Sequence, residues 1–163
     1  MSAPEPGRFK AVVVDVDGVL TDDGFFWSSS GEELKRFCFL DVMGISRASR
    51  AGMLFALVSG ENSPLVPRYA EKMGIADVWL GCKDKAAALR EFAARRELPL
   101  SVICFMGNDV NDVEAMESAG LAAAPADAHP SVLKRAAFVA TRRGGNGAVR
   151  ELLDALVPSI NPP

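Results

Sequence analysis

Histidine and cysteine, the side chains that most often carry zinc or nucleophilic chemistry, are scarce here: one histidine and three cysteines in 163 residues. Cys38, Cys82 and Cys104 are scattered, odd in number and free of any CxxC pair, which argues against a disulfide scaffold and a zinc knuckle. Three buried, reduced thiols are the expectation. His129 stands in Ala128-His129-Pro130 with nothing nucleophilic beside it, and its position at a helix start reads as structural. An excess of one charge is also missing, since 18 Lys and Arg face 21 Asp and Glu for a net charge of -3. That balance leaves no basic footprint for duplex nucleic acid. No apolar run approaches the roughly 20 residues that a membrane span requires. Pro4, Pro6 and Arg8 stand where a secretory signal would place its apolar stretch. Repeats and low-complexity tracts are absent. What the chain does have is 49% hydrophobic and 24% charged residues, enough for a real core and against disorder. One soluble, cytoplasmic domain over 1–163 is expected, ordered over 8–157, with Pro-rich tails at 1–7 and 158–163.

Short β-branched apolar runs at 11–14, 54–58, 77–80, 102–106, 121–123 and 138–140 predict strands. Amphipathic stretches at 64–73, 84–96, 111–118, 130–136 and 148–157 predict helices. Alternation of this kind gives an α/β fold, a doubly wound, Rossmann-like parallel sheet with helices on both faces. Right-handed crossovers then gather the strand-to-helix loops along the carboxyl edge, where ligands bind. One segment breaks the alternation. Phe25-Phe26-Trp27, a Ser-Ser-Ser-Gly turn and residues 33–39 read as a hairpin over 24–39 that projects from the sheet. Its aromatics are either core or an interface between copies.

The first strand ends in Asp15-Val16-Asp17-Gly18-Val19-Leu20-Thr21. Two carboxylates two residues apart at the end of a buried strand repel each other and lose hydration. A Mg²⁺ ion answers both problems, because hard cations take carboxylate and carbonyl oxygens. A pair of loop-capping aspartates is the plainer alternative. Ser59 ends the next strand, Lys85 begins a helix after the third, and Gly107-Asn108-Asp109-Val110-Asn111-Asp112 follows the fourth. A carboxylate nucleophile, a metal, a hydroxyl and a lysine in one crevice describe a phosphoryl site. Separately, Ser59 also suits a helix N-cap and Lys85 a solvated helix face.

These four elements resemble the motifs of the haloacid dehalogenase superfamily, and the likeness runs from Val12 to Glu151. Asp15-Val16-Asp17-Gly18-Val19-Leu20-Thr21 is a specific form of its first motif. Pro125-Ala126-Asp127-Ala128-His129-Pro130 and Gly144-Gly145-Asn146-Gly147-Ala148-Val149-Arg150-Glu151 are similar to the cap-less branch. That branch holds 3-deoxy-manno-octulosonate 8-phosphate phosphatases, nonulosonate 9-phosphate phosphatases and the carboxyl-terminal domain of sialic acid cytidylyltransferases. The resemblance implies a Mg²⁺-dependent phosphatase acting on a 3-deoxy-2-ulosonic acid sugar phosphate. Asp15 would attack phosphorus and carry it as an aspartyl-phosphate, and Asp17 would serve as general acid and then base. Ser59 and Lys85 would hold the phosphoryl oxygens. Mg²⁺ would bind Asp15, the Asp17 main-chain carbonyl and Asn108.

The pattern departs at three places. Asn108 stands where the family carries a metal-binding acid, as it does in the cytidylyltransferase domains, so one negative charge is lost unless Asp109 swings in. Glu61 follows Gly60 where octulosonate enzymes carry Arg, and Glu61 with Lys72 is more like the nonulosonate branch; a helix-capping role is the plainer reading of Glu61. Asp41-Val42 replaces an Asp-Gly pair, which keeps Asp41 as a substrate-site candidate. A glycine-rich basic segment at 142–150, with Arg143 and Arg150, suits a mobile anion-seeking loop or an ordinary solvated one. The resemblance also implies a homotetramer built on the hairpins, with neighbours covering each crevice in place of a cap. The competing reading is a weakly active or non-catalytic oligomerisation domain of the cytidylyltransferase type. A signalling receiver domain fits poorly, because its phosphoacceptor follows the third strand, and here that position is Gly81-Cys82-Lys83.

Overall fold

All five residues of the first strand, β1 (Ala11–Asp15), are buried, and a sheet grows on both sides of it. The computed structural model describes residues 4–157. In chain order β1 is followed by β2 (Phe26–Trp27), β3 (Glu33–Leu34), α1 (Phe39–Arg50), β4 (Leu54–Val58), α2 (Leu65–Met73), β5 (Asp77–Trp79) and α3 (Lys85–Arg95). Then come β6 (Ile103–Met106), α4 (Val113–Ser118), β7 (Leu121–Ala124), α5 (Pro130–Leu133), β8 (Phe138–Val139) and α6 (Ala148–Leu156). Six strands form one sheet in the order β5-β4-β1-β6-β7-β8, every neighbour parallel. This is the doubly wound α/β architecture expected from the alternation. Successive side chains of a strand point to opposite faces. Accordingly Val12 and Val14 join the core under α1, α2 and α6, whereas Ala11 and Val13 join that under α3, α4 and α5. The chain winds outward from β1 to β5 and returns to β6, so the carboxyl ends of β1 and β6 flank the switch point where doubly wound sheets bind ligands.

Two sequence expectations need correction here. Residues 33–39 do not continue as a strand: β3 stops at Leu34, and a twelve-residue helix, α1, begins at Phe39. Its buried stripe is Asp41, Gly44, Ile45 and Ala48, while Phe39, Leu40 and Met43 stay exposed. A charged residue and a glycine on the inner face, with large apolar residues outside, erase the pattern by which such a helix is read. Gly44 has a purpose there, because a Cβ at that position would lie 2.9 Å from Arg150 Cδ of α6. The thiols also differ from expectation: Cys104 is buried, and Cys38 and Cys82 are half-buried. Of the expected tails, 1–3 and 158–163 lie outside the described residues, and Gly7 is tied down by donating to Leu156 O at 3.0 Å. Among the described residues no helix is long and apolar enough to cross a membrane.

Asp41 is corrected too. It does not line a substrate site: fully buried, it accepts hydrogen bonds from Gly147 N at 3.2 Å and Arg150 N at 2.8 Å. It therefore caps the amino end of α6 from a neighbouring helix, where a negative charge meets unpaired N–H groups. Burial pushes its carboxyl above the ordinary value against the pull of those N–H donors. Asp41→Ala strands those donors, so urea denaturation should show a loss of about 1–3 kcal/mol. Unchanged stability with a raised KM would return Asp41 to the substrate site.

Candidate active site

Asp15 ends β1, and the chain turns sharply through residues 16–20 before leaving the sheet. Gly18 makes the turn possible. Its φ is +85°, and a Cβ there would fall 2.0 Å from the Asn108 side chain, so both the backbone and the space demand glycine. Lys85 is the first residue of α3, whose N-cap, Asp84, accepts from Ala87 N at 2.7 Å. From there its ammonium reaches Asp15 Oδ1 at 2.8 Å and Asp112 Oδ1 at 2.6 Å. The three residues are nearly closed to solvent, at 4%, 3% and 0% exposure for Asp15, Lys85 and Asp112. Burial, and then the Asp112 carboxylate, push the Asp15 carboxyl up to about 7 despite Lys85. Burial pulls the Lys85 ammonium down, but Asp15 and Asp112 outweigh it and hold it above its ordinary value.

The second carboxylate is gripped from two sides. Ser59 Oγ, fully buried after β4, donates to Asp17 Oδ2 at 3.3 Å and accepts from Glu61 N at 3.1 Å. Lys35, just past β3, pairs with Asp17 Oδ1. Asp15, Asp17, Gly60, Glu61, Lys85 and Asn108 all line one crevice of about 1160 Å³. Phe25, Trp27 and Leu34 of the hairpin form one of its walls.

The loop after β6 tests whether a divalent cation fits. Asp112 Oδ2 accepts from Asn108 N at 2.9 Å and Asp109 N at 3.1 Å, which aims Asn108 at the first motif. The Asn108 side-chain oxygen faces the Asp17 main-chain oxygen and Asp15 Oδ2, 3.0 Å from each; turned over, its amide nitrogen would donate to both. Octahedral Mg²⁺ takes oxygens at 2.0–2.1 Å, so adjacent ligands stand about 2.9 Å apart. The Asn108 amide stands at that spacing from both of its neighbours, and a carboxylate, an amide and a main-chain carbonyl are donors that such an ion accepts. Among the described residues no three His, Cys, Asp or Glu side chains form a metal cluster; this donor set uses one carboxylate, one amide and one main-chain carbonyl. Asp109 does not replace Asn108, because its side chain accepts from Val110 N at 2.7 Å and opens the next turn.

The remaining expected residues stand apart from the crevice. Lys72 lies over the Phe39 ring at 5.4 Å. Arg143 pairs with Asp127 at 3.1 Å, and Arg150 with Asp154 at 2.8 Å. The segment carrying these arginines is packed rather than free: Gly145 N donates to Val19 O at 2.9 Å and Gly144 N to Asp127 Oδ1 at 2.9 Å. His129 caps α5, its Nδ1 accepting from Ser131 N at 3.2 Å. Two residues escaped the sequence reading. Asp112 was visible as part of an acidic loop, but its reach to Lys85 requires the 3₁₀ turn at Val110–Asp112 to aim it. Lys35 carries no local signal, since only the hairpin's fold over the sheet edge brings it to Asp17.

A buried carboxylate–lysine pair at the end of β1, faced by Asn108 from the loop after β6, is an arrangement suited to a haloacid dehalogenase-like hydrolase. The family model described as haloacid dehalogenase-like hydrolase matches residues 72–152. The 3-deoxy-D-manno-octulosonate 8-phosphate phosphatase of Escherichia coli K12 is 34% identical over 150 residues, 92% of this chain and 80% of that protein. The crystal structure of the Yersinia pestis phosphatase of that name has a TM-score of 0.89 at 34% identity, covering 91% of this chain and 80% of that one. That of Moraxella catarrhalis, solved with magnesium, phosphate and KDO, has a TM-score of 0.87 at 31% identity, covering 91% and 88%. The chain belongs to the haloacid dehalogenase-like hydrolases, in the branch of the 3-deoxy-D-manno-octulosonate 8-phosphate phosphatases.

The amide at 108 sets a testable limit on metal affinity. Asn108→Asp adds a carboxylate to the donor set, so the metal-free variant should melt below the native chain. Mg²⁺ should raise its melting temperature further than it raises the native one, with half-saturation at about tenfold less metal, because ligand charge count tunes affinity. An identical Mg²⁺ response in both proteins would exclude position 108 from the metal site.

Proposed function

We propose that this chain is a Mg²⁺-dependent phosphatase hydrolysing the phosphomonoester of a 3-deoxy-2-ulosonic acid sugar phosphate. Octulosonate 8-phosphate and nonulosonate 9-phosphates are the two substrates of that class, and the relatives' names favour the first. The observation that carries the reading is Asp15, held at the crevice floor by Lys85, with its other oxygen facing Asn108, whose side chain also faces the Asp17 carbonyl. Bound there, Mg²⁺ would neutralise phosphoryl charge and align it with Asp15. Asp15 attacks phosphorus, and its carboxylate becomes an aspartyl-phosphate, dividing the hydrolysis into two easier displacements. Lys85 faces the charge that gathers on the transferring group, and Ser59 Oγ offers it a hydrogen bond. Asp17 gives its proton to the departing sugar oxygen and takes one back from the water that attacks the phosphorylated Asp15. Glu61 and Gly60, at the wall of the same crevice, contact the sugar. Arg143, Arg150 and Lys72 reach substrate only where a neighbouring copy completes the crevice.

The non-catalytic alternative rests on Asn108 alone. Intact Asp15, Asp17 and Lys85 in contact geometry, together with relatives that are phosphatases, weigh against it. A homotetramer in the cytoplasm completes the proposal. Its support is an exposed apolar patch on and beside the hairpin, with Phe26 at 71%, Trp27 at 69%, Leu34 at 60% and Phe39 at 72% exposure. Patches of this kind mark interaction surfaces, and they border a crevice that has no cap of its own.

Phosphate release from a panel of sugar phosphates tests the reaction. Activity on the ulosonate phosphates should require Mg²⁺, vanish on chelation and fall to background in Asp15→Asn; persistence in that variant would overturn the mechanism. Light scattering tests the assembly. A mass four times the 17.3 kDa chain is expected, and Phe26→Ser with Trp27→Ser should lower it; a native monomer would end the tetramer reading.

A further inference from the structure

The hairpin does more than wall the crevice. Three polar side chains within residues 33–36 tie it to three different parts of the fold. Glu33 Oε1 accepts from Ser63 Oγ at 2.9 Å, next to the start of α2. Arg36 donates to Gly145 O at 3.1 Å and Asn146 Oδ1 at 2.9 Å, and lies 3.5 Å from Asp22. Between them Lys35 points inward. Its side chain is only 5% exposed, and its ammonium meets Asp17 Oδ1, with Glu33 Oε1 at 3.8 Å. A lysine so enclosed needs carboxylate partners to keep its charge, and Asp17 is the nearer one.

Asp17 stands on the turn that follows β1, with non-helical φ and ψ of -79° and 117°, and its side chain is 26% exposed. Ser59 holds Oδ2 at the long distance of 3.3 Å. One weak hydrogen bond leaves the carboxyl free to rotate away from the crevice; a second grip on the opposite oxygen fixes its plane. Proton transfer depends on such placement, since the donor must lie within hydrogen-bond reach of the reacting oxygen.

We infer that Lys35 is a positioning residue for the acid-base step, a hairpin lysine that holds Asp17 in its proton-transferring orientation. The inference rests on the phosphatase reading above and deepens it. It acts in both halves of the reaction. In the first, the Asp15 oxygen bonds to phosphorus as the ester bond breaks, and Asp17 supplies the proton to the leaving alkoxide. In the second, water oxygen bonds to phosphorus, the bond to Asp15 breaks with its electrons returning to the carboxylate, and the water proton passes to Asp17. A leaving group that is stable as an anion removes the need for the first proton but not for the second.

That asymmetry gives the experiment. The full Mg²⁺-loaded chain, in excess over p-nitrophenyl phosphate, reports both halves in one turnover: nitrophenolate release follows attack by Asp15, and phosphate release follows hydrolysis of the aspartyl-phosphate. Lys35→Met should leave nitrophenolate release within about twofold of native while slowing phosphate release by about tenfold or more. With octulosonate 8-phosphate, whose leaving alkoxide needs the proton, release of the sugar itself should slow by a similar factor. Lys35→Arg should restore most of both rates, since a guanidinium also pairs with a carboxylate. Equal slowing of nitrophenolate and phosphate would overturn the inference, because it places the damage at Asp15 and Lys85. So would a Lys35→Met chain that is native in every rate. A native chain that releases phosphate from neither substrate would instead overturn the phosphatase reading, and this role with it.

Discussion

Lys85 Nζ sits between Asp15 and Asp112, and that one ammonium lets two carboxylates occupy a pocket almost closed to water. Two buried acids without it would repel each other, and at least one would take up a proton. Asp15 remains close to that limit, its carboxyl pushed up to about 7 by burial and Asp112 even with the lysine in place. Removing one partner from a buried ion group typically costs about 3–5 kcal/mol, so the site is also part of the fold's stability. Asp112 links the two roles. One of its oxygens holds Lys85, while the other accepts from Asn108 N and Asp109 N and thereby shapes the loop that brings Asn108 beside Asp15. Asp15, its counter-charge Lys85 and the Asn108 amide beside it are thus set by one connected group of hydrogen bonds.

This group explains how the chain tolerates an amide where its superfamily places an acid. A carboxylate at 108 would add a further negative charge beside Asp15, Asp17 and Asp112, against the two ammonium groups of Lys85 and Lys35. The amide keeps a polar atom 3.0 Å from Asp15 Oδ2 and from the Asp17 carbonyl without adding that charge.

Much of this was legible in the chain. The order of strands and helices follows from periodicity, because the central strands β1 and β6 are buried on both faces and so read as continuous apolar runs. Asp15, Asp17, Ser59, Lys85 and Asn108 could be named because each directly follows such a run or opens the helix after it. Topology alone then gathers them at one edge. What stayed hidden depends on contacts between distant segments. Helix α1 was missed since its inner stripe begins with Asp41 and Gly44, two residues chosen by the approach of α6 rather than by helix preference. Arg143 and Arg150 looked like anion binders, but Asp127 and Asp154 already answer their charges. Lys35 was invisible because the hairpin that carries it is only two residues long in each strand, too short for any pattern to show which way its side chains point.

A two-residue ladder cannot hold a hairpin by its own hydrogen bonds, since isolated hairpins are marginal even when longer. This one is kept over the crevice by Glu33, Lys35 and Arg36, while Phe26, Trp27 and Leu34 stay largely exposed, Trp27 and Leu34 at the crevice wall. An element with polar ties to the active site and bare apolar surface at its rim is stabilised by whatever covers that surface. If copies of the chain cover it, association and acid-base chemistry share one strut: burying the aromatic face stiffens the strand that ends at Lys35, and so steadies Asp17. In that arrangement the missing cap domain is replaced twice over, by neighbours that exclude water and by a hairpin that those neighbours hold against the catalytic carboxyl.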